Sequence, residues 1–513
     1  MRHGSRTRTG AVAAAGVITS LSLALAGCSG TSAPPAGATG GDLVVGVTSD
    51  PDTLFPWKAT QFQAVNVLQN IYGTLTEYDE DLNVVPGLAE SWEASEDGLT
   101  VTFQLRSGVV FNDGSDFDSE DVKFTLESIM AEETAAVAAA SLASVEQVEA
   151  PDPQTVELTL SSPDAALPSN LASVNMAILS SDDTEEALNT TPNGTGPYRF
   201  DDRVASQSIT LTKNEQYWGD EPSLDSVEFR VIPDESSIVS AMQAGNVHMA
   251  VFDDPLVAET AEATLNVAKT PQLSYHTLQL NAQRGDLTDV NVRLAIQCAI
   301  DRQEVLDTAA FGEGEVTGPI TSPAYLSDPS ARPCPERDLD KAADYLEAAG
   351  KDSVTLKTIV SQGEYATSVN EAQNLEAQLA EANIILDVEV LESGAYVDAW
   401  VAADFDAAVA LNGGRPDPDG MYGRYFTSDG NLNDVAGYSS PELDDLFEQG
   451  RATTDETERK EIYDRVAAEL EDNAAWVWLF TAYQYTATTQ NVAGFVPMAN
   501  GSLQYLKTTT VAS

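Results

Sequence analysis

A strand, a helix and a second strand follow one another in residues 354–390. The two strands, 354–360 and 384–390, are rich in β-branched residues. Between them a helix is predicted from small and apolar residues that recur on one face, at Ser368, Ala372, Leu375, Leu379 and Ala382. Because a crossover helix joins parallel strands of one sheet, this part of the chain is predicted to be α/β. A further strand is predicted at 405–411, whereas a hairpin pattern at 144–160 indicates a mixed α+β region earlier.

The N-terminal segment has the pattern of a secretory signal. Arg2, Arg6 and Arg8 precede an apolar run at 11–26, which ends in Leu-Ala-Gly before Cys28. A bilayer span needs about 20 predominantly apolar residues, so this run is too short to remain as an anchor. A cysteine in this position resembles a bacterial lipobox, which implies cleavage before Cys28 and lipid on that residue. The alternative is ordinary cleavage that leaves a free thiol.

The segment after Cys28 is predicted to be a flexible tether. Residues 29–41 are small residues and proline, which cannot bury a core. About 470 residues follow, enough for two or three domains at roughly 100–200 residues each. The formal charge of −55 argues against a nucleic-acid partner, because binding to phosphates depends on Lys and Arg.

Two further cysteines are predicted to pair. An exported chain is in an oxidising compartment, where disulfides persist. Cys298 lies in a predicted helix at 291–300 but off its apolar stripe, so it can face another element such as the loop that carries Cys334. The alternative is two separate buried thiols.

Motifs of catalysis are absent from the sequence. It contains no H-E-x-x-H, G-x-S-x-G or P-loop pattern. After the signal only His248 and His276 remain, which disfavours a His-rich metal site. We therefore predict a protein that is not an enzyme and that has no metal and no cofactor.

The region from Tyr78 to Met130 is dense with local signals. It includes VVPGLAESWEASEDGLTVTFQLRSGVVFNDG, followed by a predicted helix that starts with a capping box at Asp118 and Asp121. It closely resembles the family 5 extracellular solute-binding proteins of bacterial ABC importers, the oligopeptide- and dipeptide-binding group. The turn GTGPY at 194–198 and the segment NVRLAIQCAIDR at 291–302 match the same family in the same order.

The resemblance implies a two-lobed, hinged α/β fold of the periplasmic-binding-protein type (type II), in which ligand binds between the lobes. The implied boundaries are a signal peptide at 1–27, a lipidated Cys28 and tether at 28–41, a first lobe at 42–56, 190–277 and 485–513, an extra α+β subdomain at 57–189, and a second lobe at 278–484. The implied partners are a peptide or another small solute, an ABC permease with its ATPase subunits, and the membrane through the lipid on Cys28. The protein is expected to be monomeric, extracytoplasmic and held at the outer face of the cell membrane.

The predicted ligand loop departs from the family pattern. In peptide binders of this family, an aspartate after the strand that matches 405–411 pairs with the peptide ammonium. Aligned on Asp417-Pro418-Asp419, that position here is Gly414, beside Arg415. Either Asp417 substitutes for it, or the ligand has no free ammonium, as in an oligosaccharide. Arg415 pairs with a ligand carboxylate or is simply solvated.

Further residues are expected at the cleft because of where they lie in the implied fold. Three follow the first strand, two are aromatic residues near the expected cleft, and the others belong to the ligand loop. The complete predicted set is Thr48, Ser49, Asp50, Tyr275, Asn412, Gly413, Gly414, Arg415, Asp417 and Tyr483.

Overall fold

The computed structural model describes residues 40–362 and 365–512. The predictions for the signal peptide, Cys28 and most of the tether lie outside the described residues. No helix among the residues described has both the length and the apolar character needed to cross a membrane. The first strand, predicted at 42–48, is observed at Asp42–Val47.

The largest element is a 12-stranded mixed sheet. Numbered along the chain and given in spatial order, its main path is β16 (Ile384–Glu392), β15 (Val354–Gln362), β17 (Ala407–Asn412), β13 (Tyr275–Leu280), β18 (Trp476–Thr488), β11 (Met249–Phe252), β1 (Asp42–Val47), β10 (Ser226–Val231), β9 (Ser208–Lys213) and β8 (Tyr198–Val204). Two more strands, β12 (Asn266–Pro271) and β14 (Gly314–Val316), pair with β18.

Strand β18 joins the two halves of this sheet. Its first residues pair with β13 and β14, and its last residues pair with β11 and β12. The chain crosses between the halves a second time from β12 to β13, through Gln272–Ser274. The Thr481 hydroxyl of β18 donates hydrogen bonds of 2.6 Å and 2.8 Å to the carbonyls of Gln272 and Ser274, which ties the two crossings together.

The predicted strand–helix–strand unit is confirmed. Strands β15 and β16 pair in parallel from Val354 with Ile384 to Gln362 with Glu392, and the helix Ser368–Ala380 lies between them in the chain. The strand predicted at 405–411 is β17, which pairs in parallel with β15.

A separate region lies within residues 57–189. Its four-stranded antiparallel sheet has the order β4 (Ala89–Ala94), β5 (Thr100–Leu105), β7 (Thr155–Leu160) and β6 (Val145–Asp152), which confirms the predicted hairpin. The helix Ser119–Met130 starts with the predicted capping box, in which the Asp118 side chain accepts from the Glu120 amide and the Asp121 side chain accepts from the Asp118 amide.

Small two-stranded sheets are formed by β2 (Thr76–Tyr78) with β3 (Val84–Pro86) and by β19 (Val492–Ala493) with β20 (Thr510–Val511).

The α-helices cover the sheets and form the remaining layers. Numbered along the described chain they are α1 (Phe62–Leu68), α2 (Ser119–Met130), α3 (Leu167–Asn170), α4 (Glu185–Leu188), α5 (Glu235–Gln243), α6 (Pro255–Glu262), α7 (Val290–Ala299), α8 (Arg302–Ala309), α9 (Leu339–Ala348), α10 (Ser368–Ala380), α11 (Ser393–Val401), α12 (Arg424–Phe426), α13 (Asn433–Ala436), α14 (Pro441–Ala452) and α15 (Glu456–Asp472). A π-helical turn, Asp419–Gly423, leads directly into α12.

Each half of the large sheet has its own apolar core. One contains Trp57, Phe103 and Phe229, and another packs α7, α9 and α10 onto β13, β15 and β17. Trp476 and Trp478 of β18 are fully buried. The structure joins Cys298 of α7 to Cys334 in a disulfide. The exact lobe boundaries stay a prediction, since the large sheet runs continuously through both halves.

Candidate ligand-binding site

A large cavity lies where the two crossings of the sheet meet the 57–189 region. Its volume is about 1250 Å³, above the roughly 300–1,000 Å³ of common small-molecule pockets. The walls come from α1, from the 57–189 region, from the crossing residues Gln272–Ser274 and from the loop after β17. We call this space the cleft cavity. It has room for an extended chain of several residues or sugar units.

Uncharged polar side chains form a large part of the wall. They combine carboxamides, which donate and accept, with hydroxyls: Gln63, Asn66, Gln69, Asn170, Asn175, Gln272, Gln484, Asn500, Gln504, Ser141, Ser162, Ser169, Ser173 and Ser502. Such groups match the amide groups of a peptide backbone or the hydroxyls of a sugar. Phe62 and Val137, both exposed apolar side chains, together with Tyr217 and Trp218, supply apolar contact surface.

The position of the family aspartate is closed to any side chain. A Cβ atom built on Gly414 would lie 1.9 Å from the carbonyl oxygen of Leu273 and 2.3 Å from its carbonyl carbon. The loop therefore packs directly on a crossing residue, and glycine is required for this close approach. The neighbouring Gly413 differs, since a Cβ there meets no atom within 4 Å.

Asp417 is engaged by an arginine beneath the cavity wall. Its two carboxylate oxygens accept hydrogen bonds from Arg459 at 2.5 Å and 2.9 Å, and both side chains are buried. One of these oxygens also accepts from the Asp419 amide at 2.9 Å. A bidentate, buried pair of this kind leaves Asp417 with little capacity for a ligand ammonium.

Arg415 and Arg424 both line the cavity without an acidic partner. Among the described residues neither guanidinium makes a salt bridge or a hydrogen bond, and the buried Nε of Arg424 has no acceptor. The Arg424 guanidinium lies 4.7 Å from the ring centre of Tyr425. The Arg415 side chain is exposed towards the cavity. Its partial desolvation there, followed by the positive charge of Arg424, lowers the pKa of Arg415. Two arginines without an acidic partner among the described residues therefore lie at the wall of one cavity.

Other charges at the wall are neutralised within the protein. Arg451 donates to Asp419 at 2.8 Å, and Lys507 donates to Glu77 at 2.9 Å. Burial raises the pKa of Asp419 to about 6; Arg451 acts in the opposite direction, while Asp417 and Asp164 add to the increase. Asp419 therefore changes its charge near neutral pH.

The predicted site residues fall into two groups. Gly413, Gly414, Arg415 and Asp417 all line the cleft cavity, whereas the other six do not. Thr48 is one contact away, because its hydroxyl accepts at 3.2 Å from the wall residue Gln63.

The residues outside the wall have partners of their own. Asp50 accepts from Arg203 at 2.9 Å, and Ser49 is half-buried beside it in the chain. Tyr275 is fully buried against Tyr422, with ring centres 5.7 Å apart.

Asn412 and Tyr483 are likewise turned to the protein. The Asn412 carboxamide is buried between Gln279 and Thr277, at 3.0 Å and 2.9 Å. The Tyr483 hydroxyl donates to Glu315 at 3.1 Å. Their place in the ligand site therefore remains a prediction, and they support the strands that carry the wall.

The structure adds wall residues that were not predicted. The most informative are Arg424, Asp419 and Arg451, brought to the loop by the π-helical turn and by α14. The scarcity of basic residues, 26 against 81 acidic ones, was the available signal, because an arginine retained beside the ligand loop of so acidic a chain is unusual.

Comparisons with known proteins identify the family of the chain. The family model described as "Bacterial extracellular solute-binding proteins, family 5 Middle" matches residues 83–433. The match spans well over half of the chain, and the chain belongs to this family. Members are solute-binding proteins of transporters, which confirms the family predicted from the sequence.

Individual relatives cover nearly the whole chain. The glutathione-binding protein GsiB of Escherichia coli is 26% identical over 470 residues, covering 88% of this chain and 91% of its own. The periplasmic binding protein DppA from Helicobacter pylori, solved with the peptide STSA, is 26% identical with a TM-score of 0.69, covering 93% and 99% of the two chains. The oligopeptide-binding protein AppA from Bacillus subtilis, solved with a nonapeptide, is 25% identical with a TM-score of 0.68, covering 93% and 100%. These structures confirm the predicted periplasmic-binding-protein fold.

Proposed function

We propose that this protein captures peptides in the cleft cavity and delivers them to the permease of an ABC importer. The observation that carries the proposal is the cavity itself, about 1250 Å³ in volume and lined by carboxamides and hydroxyls at the crossing of the two sheet halves. Such walls bind backbone amides whatever the peptide's side chains. Relatives that match almost the whole chain bind glutathione, the peptide STSA or a nonapeptide, as their names and titles state.

Capture is coupled to closure about the two crossing segments. Gln272, Leu273 and Ser274 line the cavity and are also the residues through which the chain passes from one half of the sheet to the other. A ligand that contacts them biases the equilibrium between open and closed arrangements. The closed form is the one that the permease, powered by ATPase subunits, recognises.

The protein acts outside the cytoplasm, anchored by lipid on Cys28. A tethered monomer stays close to its permease, and tethering raises the effective concentration of the pair. The variant C28S tests this placement: it is expected to lose the mass of the lipid and to leave the membrane fraction. Retention of C28S in washed membranes would contradict the anchor.

A second candidate ligand is an oligosaccharide or another solute without a free ammonium. The observation that favours it is the contact of Gly414 with Leu273, which excludes a carboxylate where peptide binders of the family carry one. The same hydroxyls and carboxamides suit a sugar.

The decisive experiment compares both ligand classes on one sample. Native mass spectrometry of the purified full chain, incubated with a random tetrapeptide pool or a neutral oligosaccharide pool, reports which class is retained. Retained peptides and a rise of the melting temperature support peptide capture, because bound ligand stabilises the folded state. Retention of oligosaccharides alone would replace it with the second candidate.

A further inference from the structure

We propose that the ligand is anionic and that Arg415 and Arg424 together bind its carboxylate, with no requirement for a free ammonium. The proposal rests on the proposed capture function and names the chemical class of the ligand. Both arginines line the same cavity from the segment that follows β17, Arg415 in the loop and Arg424 at the start of α12.

As the structure describes it, the ligand loop lacks a carboxylate that could pair with a ligand ammonium. Gly414 has no space for a side chain beside Leu273. The Asp417 carboxylate is already paired with Arg459 in a buried salt bridge. Asp419 pairs with Arg451. The ligand loop therefore presents no free carboxylate, and a ligand ammonium buried against it would be unpaired, which is strongly unfavourable.

These two arginines of the cavity wall have no acidic partner among the residues that the structure describes. The Arg415 and Arg424 guanidiniums have no salt bridge or hydrogen bond in the described part of the chain, although it is rich in acidic residues. Both positive charges lie at the wall of one cavity, so a bound anion reduces the repulsion between them, to an extent that solvent limits because Arg415 is exposed. Guanidinium groups bind carboxylates with paired, charge-assisted hydrogen bonds.

Acidic residues also line other parts of the cavity wall. Glu77 is paired with Lys507, and Asp164 accepts from the Ser144 hydroxyl and the Ala166 amide. Asp253 is exposed and accepts a long 3.4 Å bond from Gln272. Asp253 follows β11 and is not part of the ligand loop, so it does not restore the carboxylate that Gly414 lacks.

The test uses one random tetrapeptide pool in four forms: free ends, N-acetylated, C-amidated, and blocked at both ends. Trigalacturonate and neutral galactotriose form a second pair that differs in carboxylates. Binding to the full chain is measured by native mass spectrometry and titration calorimetry. The variants are R415Q, R424Q and the double variant, with D253N as a matched change of an acid at the same cavity and R199Q as a change of an exposed arginine outside it.

We expect the N-acetylated pool to bind as well as the free pool and the C-amidated pool to bind at least about tenfold more weakly, since a charge-assisted bond is lost. R415Q and R424Q should each lower the affinity for the free-acid pool about tenfold. R199Q should stay close to the parent protein, and D253N, which removes a negative charge from the same cavity, should not weaken binding. Because neither arginine holds an acidic partner among the described residues, both variants should keep the parent's circular dichroism spectrum and a melting temperature close to the parent's.

Each other outcome is decisive. Binding that requires the free amine, or that is indifferent to amidation and to both Arg substitutions, overturns the carboxylate proposal while peptide capture stands. Binding of trigalacturonate alone, lost in R415Q, overturns peptide capture and keeps the carboxylate site. Equal binding of galactotriose and trigalacturonate, or no binding of any probe, overturns both.

Discussion

Arg415 belongs to the ligand loop and Arg459 contacts that loop from α15, but the two arginines differ in their partners. Arg459, on α15, is buried and holds both oxygens of Asp417, whereas Arg415 faces the cleft cavity without an acidic partner in the described structure. The first fixes the shape of the ligand loop. The second leaves its charge available to a ligand. The difference teaches that a charged residue next to a binding site is informative through its partner, not through its mere presence.

The largest effect is expected from breaking the buried pair. R459M leaves Asp417 buried and unpaired, which should lower the free energy of unfolding by about 3–5 kcal/mol. Urea unfolding followed by circular dichroism measures the change. A loss below about 1 kcal/mol would mean that the pair is not a structural element of the loop.

The next effect separates two adjacent glycines. G414A forces a methyl group against the carbonyl of Leu273, and overpacking of this kind costs about 1–3 kcal/mol. G413A is the matched control, because its new Cβ meets open space. Urea unfolding of both variants checks the contrast, and equal stability of the two would show that the loop does not pack on the crossing segment.

A much smaller change in stability is expected when the cleft arginines are altered. R415Q and R424Q remove no internal ion pair, so the free energy of unfolding should stay within about 0.5 kcal/mol of the parent value. The same urea titration reports it. A loss comparable to that of R459M would place these arginines among the structural charges and erase the difference from which the carboxylate site was inferred.

The smallest effect is a dependence on pH. The pKa of Asp419 is raised to about 6, so this acid is neutral well below pH 6 and negative above it. Arg451, Arg459, Asp417 and Asp164 are the charges that act on it. A ligand carboxylate stays ionised throughout this range, so affinity for the free-acid pool should rise about twofold from pH 7.5 to pH 5.5, as for one charge roughly 10 Å away in water.

D419N separates this effect from other titrations, since it fixes the neutral form. The variant should bind the free-acid pool with the same affinity at both pH values in calorimetry. A parent protein that binds more weakly at pH 5.5 would contradict the assignment. The sign for folding is related: because the folded-state pKa is raised, ionisation of Asp419 costs stability as the pH rises from about 4 to about 6.

Local patterns predicted the local structure well. The parallel pair β15–β16 and the helix α10 followed from hydrophobic periodicity, and the capping box at Asp118 and Asp121 followed from spacing. These features depend on residues that are close in the chain, so they can be predicted from a single sequence.

The site was predicted only in part, because its chemistry depends on distant partners. Asp417 is matched with Arg459, 42 residues later, and Gly414 is constrained by Leu273 from the other crossing of the sheet. No spacing rule indicates either contact. Tyr275 was expected in the cleft as an aromatic residue, but it is buried against Tyr422. Which side of a strand meets the core is set by the surrounding layers.

The central claim is that the cleft arginines bind a ligand carboxylate. The most direct measurement is calorimetric titration of the free-acid and the C-amidated tetrapeptide pools into the parent protein and into the R415Q/R424Q double variant. We expect a preference of at least about tenfold for the free acid in the parent protein and no preference in the double variant. An equal preference in both proteins, or none in the parent, would contradict it.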